Sequence, residues 1–391
     1  MAVSRRAADP RSLRAFLPPL LALALGLPAF AASGSAGNDR LSSAAVCPTA
    51  SSATAHCNAL VRADPQGSPW VGTDPTGLTP ATVKSVYRFP AGMRAGAGTT
   101  IAIVDAYDHP AIESDLAVFD ASFDLPPCTT ANGCLRRVDA TGGSDYPHKN
   151  ADWGLEIAMD VEWAHAIAPG ASILLVEADS NKFDDLVAAE DYARTHAQYV
   201  SNSWGGKEFD GEAASDVHFS QPGVSIFFST GDSGLPAQYP ASSPNVIAVG
   251  GTTLHFSGTT FTGETGWTGG GGGCSRYEAA TPAQDAFGEY AQAGCAGKRA
   301  TPDLSLVADP ASGLSVYDSF KFEGRSGWFV VGGTSASTPM VAARAATTGR
   351  VFDAAAVYGS SLTFRDITDG NNGAPCLVGF DLCSGRGSWL G

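Results

Sequence analysis

Four short apolar runs, each bounded by turn residues, alternate with helical patterns along this chain. The runs are Thr99–Asp105 (TTIAIVD), Ile173–Val176, Ser225–Ser229 (SIFFS) and Val246–Val249, and the helical patterns fall at Glu113–Phe119, Trp153–Ile167 and Phe183–Thr195. Runs this short and this continuously apolar suit strands buried on both faces. Strand–helix–strand alternation then requires parallel neighbours joined by helical crossovers. The expected fold class is α/β, a parallel sheet with helices on both faces in a single domain. No internal repeat of twenty to fifty residues competes with that reading.

The chain has 391 residues, 44% of them hydrophobic, which is ample for a large core. A formal net charge of -15 argues against nucleic acid as a partner, since phosphate binding needs a basic surface. It argues equally against a polybasic membrane anchor. Residues 1–31 read as a signal peptide, with Arg5, Arg6, Arg11 and Arg14 ahead of an apolar Phe16–Phe30 stretch and Ala29-Phe30-Ala31 as the cleavage pattern. Export, and no membrane attachment after signal removal, are the expectations. Residues 32–76 are rich in Ala, Ser, Gly and Pro and read as a short stapled or flexible extension. From Gly77 to the C-terminus the texture becomes that of a folded domain, opened by Thr79 as the N-cap of a helix through Tyr87. The eight cysteines form four close couples, Cys47/Cys57, Cys128/Cys134, Cys274/Cys295 and Cys376/Cys383. In an exported chain these imply disulfides, although sequence alone cannot prove the pairing. A zinc site is the alternative, but no CxxC knuckle is present.

Chemistry concentrates at two places. The segment Leu155–Ala168 (LEIAMDVEWAHAIA) is apolar nearly all round, which marks a buried helix. Glu156 and Asp160, four apart, share one stripe of it. A solvated acidic edge is the ordinary reading of such a pair, and the apolar surroundings weaken it. Two buried carboxyls that repel each other share a proton, with one pKa raised, as a general base and its orienting partner need in acid. The second place is Gly332-Gly333-Thr334-Ser335-Ala336-Ser337-Thr338-Pro339. Its glycines allow a sharp turn from strand into helix, and a serine at a helix start meets free N–H groups and the positive end of the helix dipole. An N-capping serine is the bland alternative.

GTSxxxP is the nucleophile pattern of the subtilisin superfold, yet none of the seven histidines is followed by the Gly-Thr expected of that family's base. A resemblance to the sedolisin family of serine-carboxyl peptidases accounts for both facts. GLEIAMDVEWAHAIAPGA (Gly154–Ala171) is similar to the sedolisin helix, in which Glu and Asp four apart replace histidine. SNSWGG (Ser201–Gly206), STGDSG (Ser229–Gly234), YPASSPNVIAVGGTTL (Tyr239–Leu254) and GGTSASTP follow in the family's order. The resemblance covers about four-fifths of the chain. It implies a subtilisin-like fold and a secreted endopeptidase acting on polypeptides in acid, expected as a monomer.

Carried over residue by residue, Ser335 is the nucleophile, Glu156 its base and Asp160 the group that orients Glu156. Asp232 is the oxyanion-hole acid, which must be protonated to donate a hydrogen bond. FRDITDGNNG…LVGFD resembles the family's calcium loop, with carboxylates from Asp366 and Asp381 and carbonyls from Ile367, Leu377 and Gly379. Leu377 stands where the family has glycine, and the Cys376/Cys383 couple is also a departure. So is the short extension, since typical members carry a large N-terminal prodomain. Arg344 and Arg350 are unexpected in a segment that should be largely buried. Asp105, at a strand end, is either an acid supporting the site or a simple cap. A non-catalytic scaffold or binding protein of the same fold is the alternative function.

Overall fold

Seven parallel strands run side by side in the order Leu135–Asp139, Ser172–Ala178, Thr100–Ala106, Tyr199–Asn202, Ser225–Ser229, Ile247–Ser257, Leu304–Val307. Ser388–Leu390 adds a further parallel strand, and Thr363–Arg365 closes that edge antiparallel. The structure, a computed structural model, describes residues 42–51 and 53–391. The expected signal peptide and the start of the extension lie outside the described residues. Among the described residues no helix is long and apolar enough to cross a membrane.

The strands are as buried as their composition demands. Ile101, Ala102, Ile103 and Val104 are sealed from solvent, as are Leu175, Val176, Phe227 and Phe228. Helices Ala151–Ile167 and Thr334–Ala346 pack against each other over the sheet, while Phe183–His196 packs against the Thr100–Ala106 and Ser172–Ala178 strands with no comparable packing on that pair. Helices therefore cover both faces, the expected α/β arrangement. The helix opened by Thr79 spans Pro80–Tyr87, and the Thr79 hydroxyl accepts the Thr82 N–H at 3.3 Å. All four cysteine couples are disulfides. The Cys47–Cys57 bridge spans 10 residues, a constraint of about 2–3 kcal/mol on the unfolded chain.

The segment 42–76, read from sequence as a stapled or flexible extension, is stapled by the Cys47–Cys57 bridge and also has regular structure that its composition did not signal. It contains strands Ser42–Ala45, His56–Cys57, Leu60–Ala63 and Val71–Gly72, which join the sheets of the main body. Strands of two to four residues are too short to display a period, so composition alone suggested a loose tail. Arg344 finds a place in its mostly buried helix by stacking over Trp389, 4.7 Å from the ring centre, and bonding Thr347.

Candidate active site

The Ala151–Ile167 helix is fixed at its start by Asn150, whose side chain accepts the Asp152 and Trp153 N–H groups at 3.0 Å each. That cap sets the phase that turns Glu156 and Asp160 inward, and both are fully buried. Asp105 reaches the same point from the end of its strand. Carboxylate oxygens of Asp105, Glu156 and Asp160 lie within 4.8 Å of one another. None of their six oxygens has a formed hydrogen bond.

Three carboxyls this close and this dry cannot all ionise. Burial, then the charges of Asp160 and Asp105, drives the Glu156 pKa well upward, and the neighbouring Ser335 hydroxyl offsets part of that rise. Burial and the Asp105 charge push Asp160 in the same direction, opposed by the Ser203 hydroxyl. Burial alone pushes Asp105 up to about 8. The cluster thus shares protons rather than ionising fully, and its members titrate as a unit.

Ser335 stands in the first turn of the Thr334–Ala346 helix. Gly333, at φ +97°, makes the turn that delivers it, and a Cβ there would fall 2.6 Å from Asp232 Oδ2. The Ser335 hydroxyl donates to the Ser203 carbonyl at 3.1 Å, with Glu156 beside it. The proton is directed at the carbonyl, and its bond to the Glu156 carboxyl is not formed. No histidine bonds this serine. His165 contacts the Pro126 carbonyl and Asp120, His109 sits between Asp115 and Asp318, and His218 pairs with Asp191.

Asp232 is held by the residue before the nucleophile. Its Oδ1 accepts the Thr334 N–H at 2.7 Å and the Thr334 hydroxyl at 3.1 Å. Its Oδ2 has neither partner nor solvent. Burial raises the Asp232 pKa to about 7 against the pull of those two bonds. With Oδ1 committed, a proton on Oδ2 is the donor this side chain has to offer.

The five proposed calcium ligands lie on two stretches, Asp366–Ile367 and Leu377–Asp381, the second enclosed by the Cys376–Cys383 bridge. Gly379 N–H donates to Asp366 Oδ2 at 3.0 Å, and Leu377 N–H to Asp381 Oδ2 at 2.6 Å. Among the described hydrogen bonds none ends on the carbonyls of Ile367, Leu377 or Gly379. Two carboxylates and three unengaged carbonyls are a hard, all-oxygen set of the kind calcium takes. Leu377 is 42% exposed, so its side chain does not compete for the site.

Sequence reasoning did not find Ser203, whose contribution to the serine is a backbone carbonyl. Nor did it find Asn58, whose carbonyl accepts the Ser335 N–H at 2.9 Å.

A parallel sheet, a serine at a helix start and an acid facing it across the strand ends define a subtilisin-like architecture. The sequence model of the Subtilase family matches residues 148–366, and the chain belongs to that family. Within it the chain is a member of the sedolisin group. It is 31% identical to kumamolisin of Bacillus sp. (strain MN-32), over 81% of this chain and 63% of that protein. It is 30% identical to xanthomonalisin of Xanthomonas sp. (strain T-22), over 60% of this chain and 28% of that protein. The chain therefore spans less than two thirds of these curated relatives. The solved structure of Pseudomonas sedolisin, a serine-carboxyl proteinase complexed with pseudo-iodotyrostatin, superposes with a TM-score of 0.68 at 26% identity. That match covers 81% of this chain and 96% of the sedolisin chain.

Proposed function

We propose that the protein is an exported serine-carboxyl endopeptidase that hydrolyses polypeptides in acid. One observation carries the reading: the Ser335 hydroxyl adjoins a buried, proton-sharing carboxyl cluster and no histidine. Ser335 attacks the scissile carbonyl while Glu156 accepts its proton and later gives it to the departing amine. Asp160 and Asp105 keep Glu156 oriented and basic enough for the transfer. Protonated Asp232 and the Ser335 N–H receive the oxyanion. The disulfides and the acidic surface suit an extracellular setting.

The test is digestion of a peptide substrate at about pH 4 and pH 7.5. Activity is expected in acid and absent from Ser335→Ala. A neutral or alkaline optimum would count against the assignment.

Asp232 supplies a sharper measurement. Asn can accept the two Thr334 bonds through its oxygen and donate through its nitrogen without needing a proton. Asp232→Asn is therefore expected to stay within about 10-fold of wild type at pH 4 and to lose less activity on going to pH 7. Asp232→Ala, which leaves no donor, is expected to lose about 10²- to 10³-fold in kcat at both. If Asp232→Asn showed the wild-type pH profile, titration of this side chain would not be shaping it.

Calcium is proposed for the C-terminal loop, with Asp366 and Asp381 as carboxylate ligands and Ile367, Leu377 and Gly379 as carbonyl ligands. Bound there, the ion would brace a loop distant in sequence from the nucleophile. Saturating calcium is expected to raise Tm by several degrees, since about 100 times Kd adds roughly 2.7 kcal/mol. Asp381→Asn is expected to abolish the response, and a calcium-independent Tm in wild type would remove the site.

A further inference from the structure

A peptide segment lies against the nucleophile, and it belongs to this chain. Residues 54–58, with strand His56–Cys57 at their centre, are held on both sides. On one side His56 and Cys57 pair antiparallel with Gly205 and Trp204, and Asn58 N–H donates to the Ser203 carbonyl at 3.0 Å. On the other, Ala55 N–H donates to the Asn181 carbonyl and the Asn181 side chain returns a bond to the Ala55 carbonyl, both at 2.8 Å. Beyond Ala59 the chain changes partner. Leu60 and Val61 pair antiparallel with Gly332 and Val331, the residues leading into the nucleophile turn.

The crossing point between these two pairings is Asn58–Ala59. The Asn58 carbonyl accepts the N–H of Ser335 itself at 2.9 Å. At the Gly333 position, a Cβ would lie 2.2 Å from this carbonyl oxygen and 2.6 Å from Asp232 Oδ2. A carbonyl bonded to the nucleophile's own N–H, beside the second oxyanion donor, belongs to the residue whose bond is attacked. The Asn58 side chain is buried in a pocket of acceptors. Its Nδ2 is 2.7 Å from Ser229 Oγ and 3.4 Å from the Ser229 carbonyl. Gly205 leaves room for it, and the unpartnered Gln238 Oε1 borders the same space. Carbonyl oxygens line up with an NH₂ group and repel a carboxylate.

We propose that segment 54–61 is the enzyme's own first substrate, that Asn58–Ala59 is its self-processing bond, and that the pocket around Asn58 selects a small amide side chain at the cleaved residue. The proposal rests on the peptidase reading above. Ser335 Oγ bonds to the Asn58 carbonyl carbon as its proton passes to Glu156. The carbon–nitrogen bond to Ala59 breaks, and Glu156 returns the proton to the Ala59 amine. Water then hydrolyses the Ser335 ester, leaving an Asn58 carboxylate and a free serine. The Cys47–Cys57 bridge lies wholly on the N-terminal side, so the cut piece is no longer covalently joined to the body. Until it departs, it blocks other peptides from the nucleophile.

Full-length protein purified near neutral pH and shifted to about pH 4 tests this by intact mass and N-terminal sequencing. The expected result is a new N-terminus at Ala59, rising together with activity on an added peptide. Ser335→Ala and Ala59→Pro are expected to remain uncut. Asn58→Leu is expected to slow cleavage at least ~10-fold, because it leaves Ser229 facing a group that cannot donate to it. Added peptides with Asn at the cleaved residue should likewise be preferred over Leu. Wild type that digests peptide while its Asn58–Ala59 bond stays intact overturns the proposal and leaves the peptidase reading standing. Cleavage at another bond, or equal rates for Asn and Leu, also overturns it. Failure to cut either itself or added peptide, in wild type and in a Cys47→Ser/Cys57→Ser variant with a loosened segment, overturns the peptidase reading as well.

Discussion

Glu156→Gln is expected to lower kcat on a peptide substrate at pH 4 by about 10²- to 10⁴-fold, the usual worth of a general base. Gln matches the carboxyl in shape, so the helix and the buried cluster keep their packing. It cannot take a proton, so the Ser335 hydroxyl remains directed at the Ser203 carbonyl, 3.1 Å away. Ser335→Ala is expected to be at least as severe, toward 10⁶-fold. Because the two residues act as a unit, the double variant should be no worse than Ser335→Ala alone. Stability supplies the control. Gln removes one ionisable group from a site where burial and two neighbouring carboxyls disfavour charge, so Tm at pH 7 should hold or rise. A Glu156→Gln enzyme with more than a tenth of wild-type kcat would give the serine another base.

The sheet and the carboxylate helix were legible because both announce themselves in periodicity. Apolar runs such as SIFFS suit strands buried on both faces, and a helix apolar on all sides leaves its few acids conspicuous. The nucleophile was legible because Gly333 must adopt φ +97°, a constraint visible as a glycine. Asp105 was harder. Its partners come from a helix some fifty residues onward, and only the register between its strand and that helix brings the three carboxyls within 4.8 Å. Ser203 contributes a carbonyl, which every residue has. The strand lying against the nucleophile was hidden for a third reason. His56–Cys57 and Leu60–Ala63 are held by pairing with Trp204–Lys207 and Gly327–Gly332, so nothing in their own composition signals a strand.

Thermal stability is expected to fall as pH rises from about 4.5 to 8, by about 5 °C or more. Asp105 and Glu190 are fully buried, their carboxyl oxygens have no formed hydrogen bonds, and burial pushes each pKa up to about 8. In the unfolded chain such groups ionise near pH 4. Between those limits the folded state binds the extra proton, so each group removes about 1.4 kcal/mol of stability per pH unit as pH increases. Below about pH 4 both states are protonated and the contribution is complete. His165 works in the other direction. Burial holds its pKa down to about 4, so acidification from its ordinary value costs stability. One histidine offsets about half of the slope set by Asp105 and Glu190 between pH 6.5 and 4, so stability still rises on acidification there, less steeply, and levels off near pH 4. The check is a Tm profile by calorimetry from pH 3 to 8 on Ser335→Ala, which cannot digest itself during the scan. Asp105→Asn should flatten the decline above pH 5, since an amide has no proton to lose. A wild-type profile that climbs toward neutral pH would mean these carboxyls ionise freely inside the fold, and the proton-holding cluster beside Ser335 would lose its physical basis.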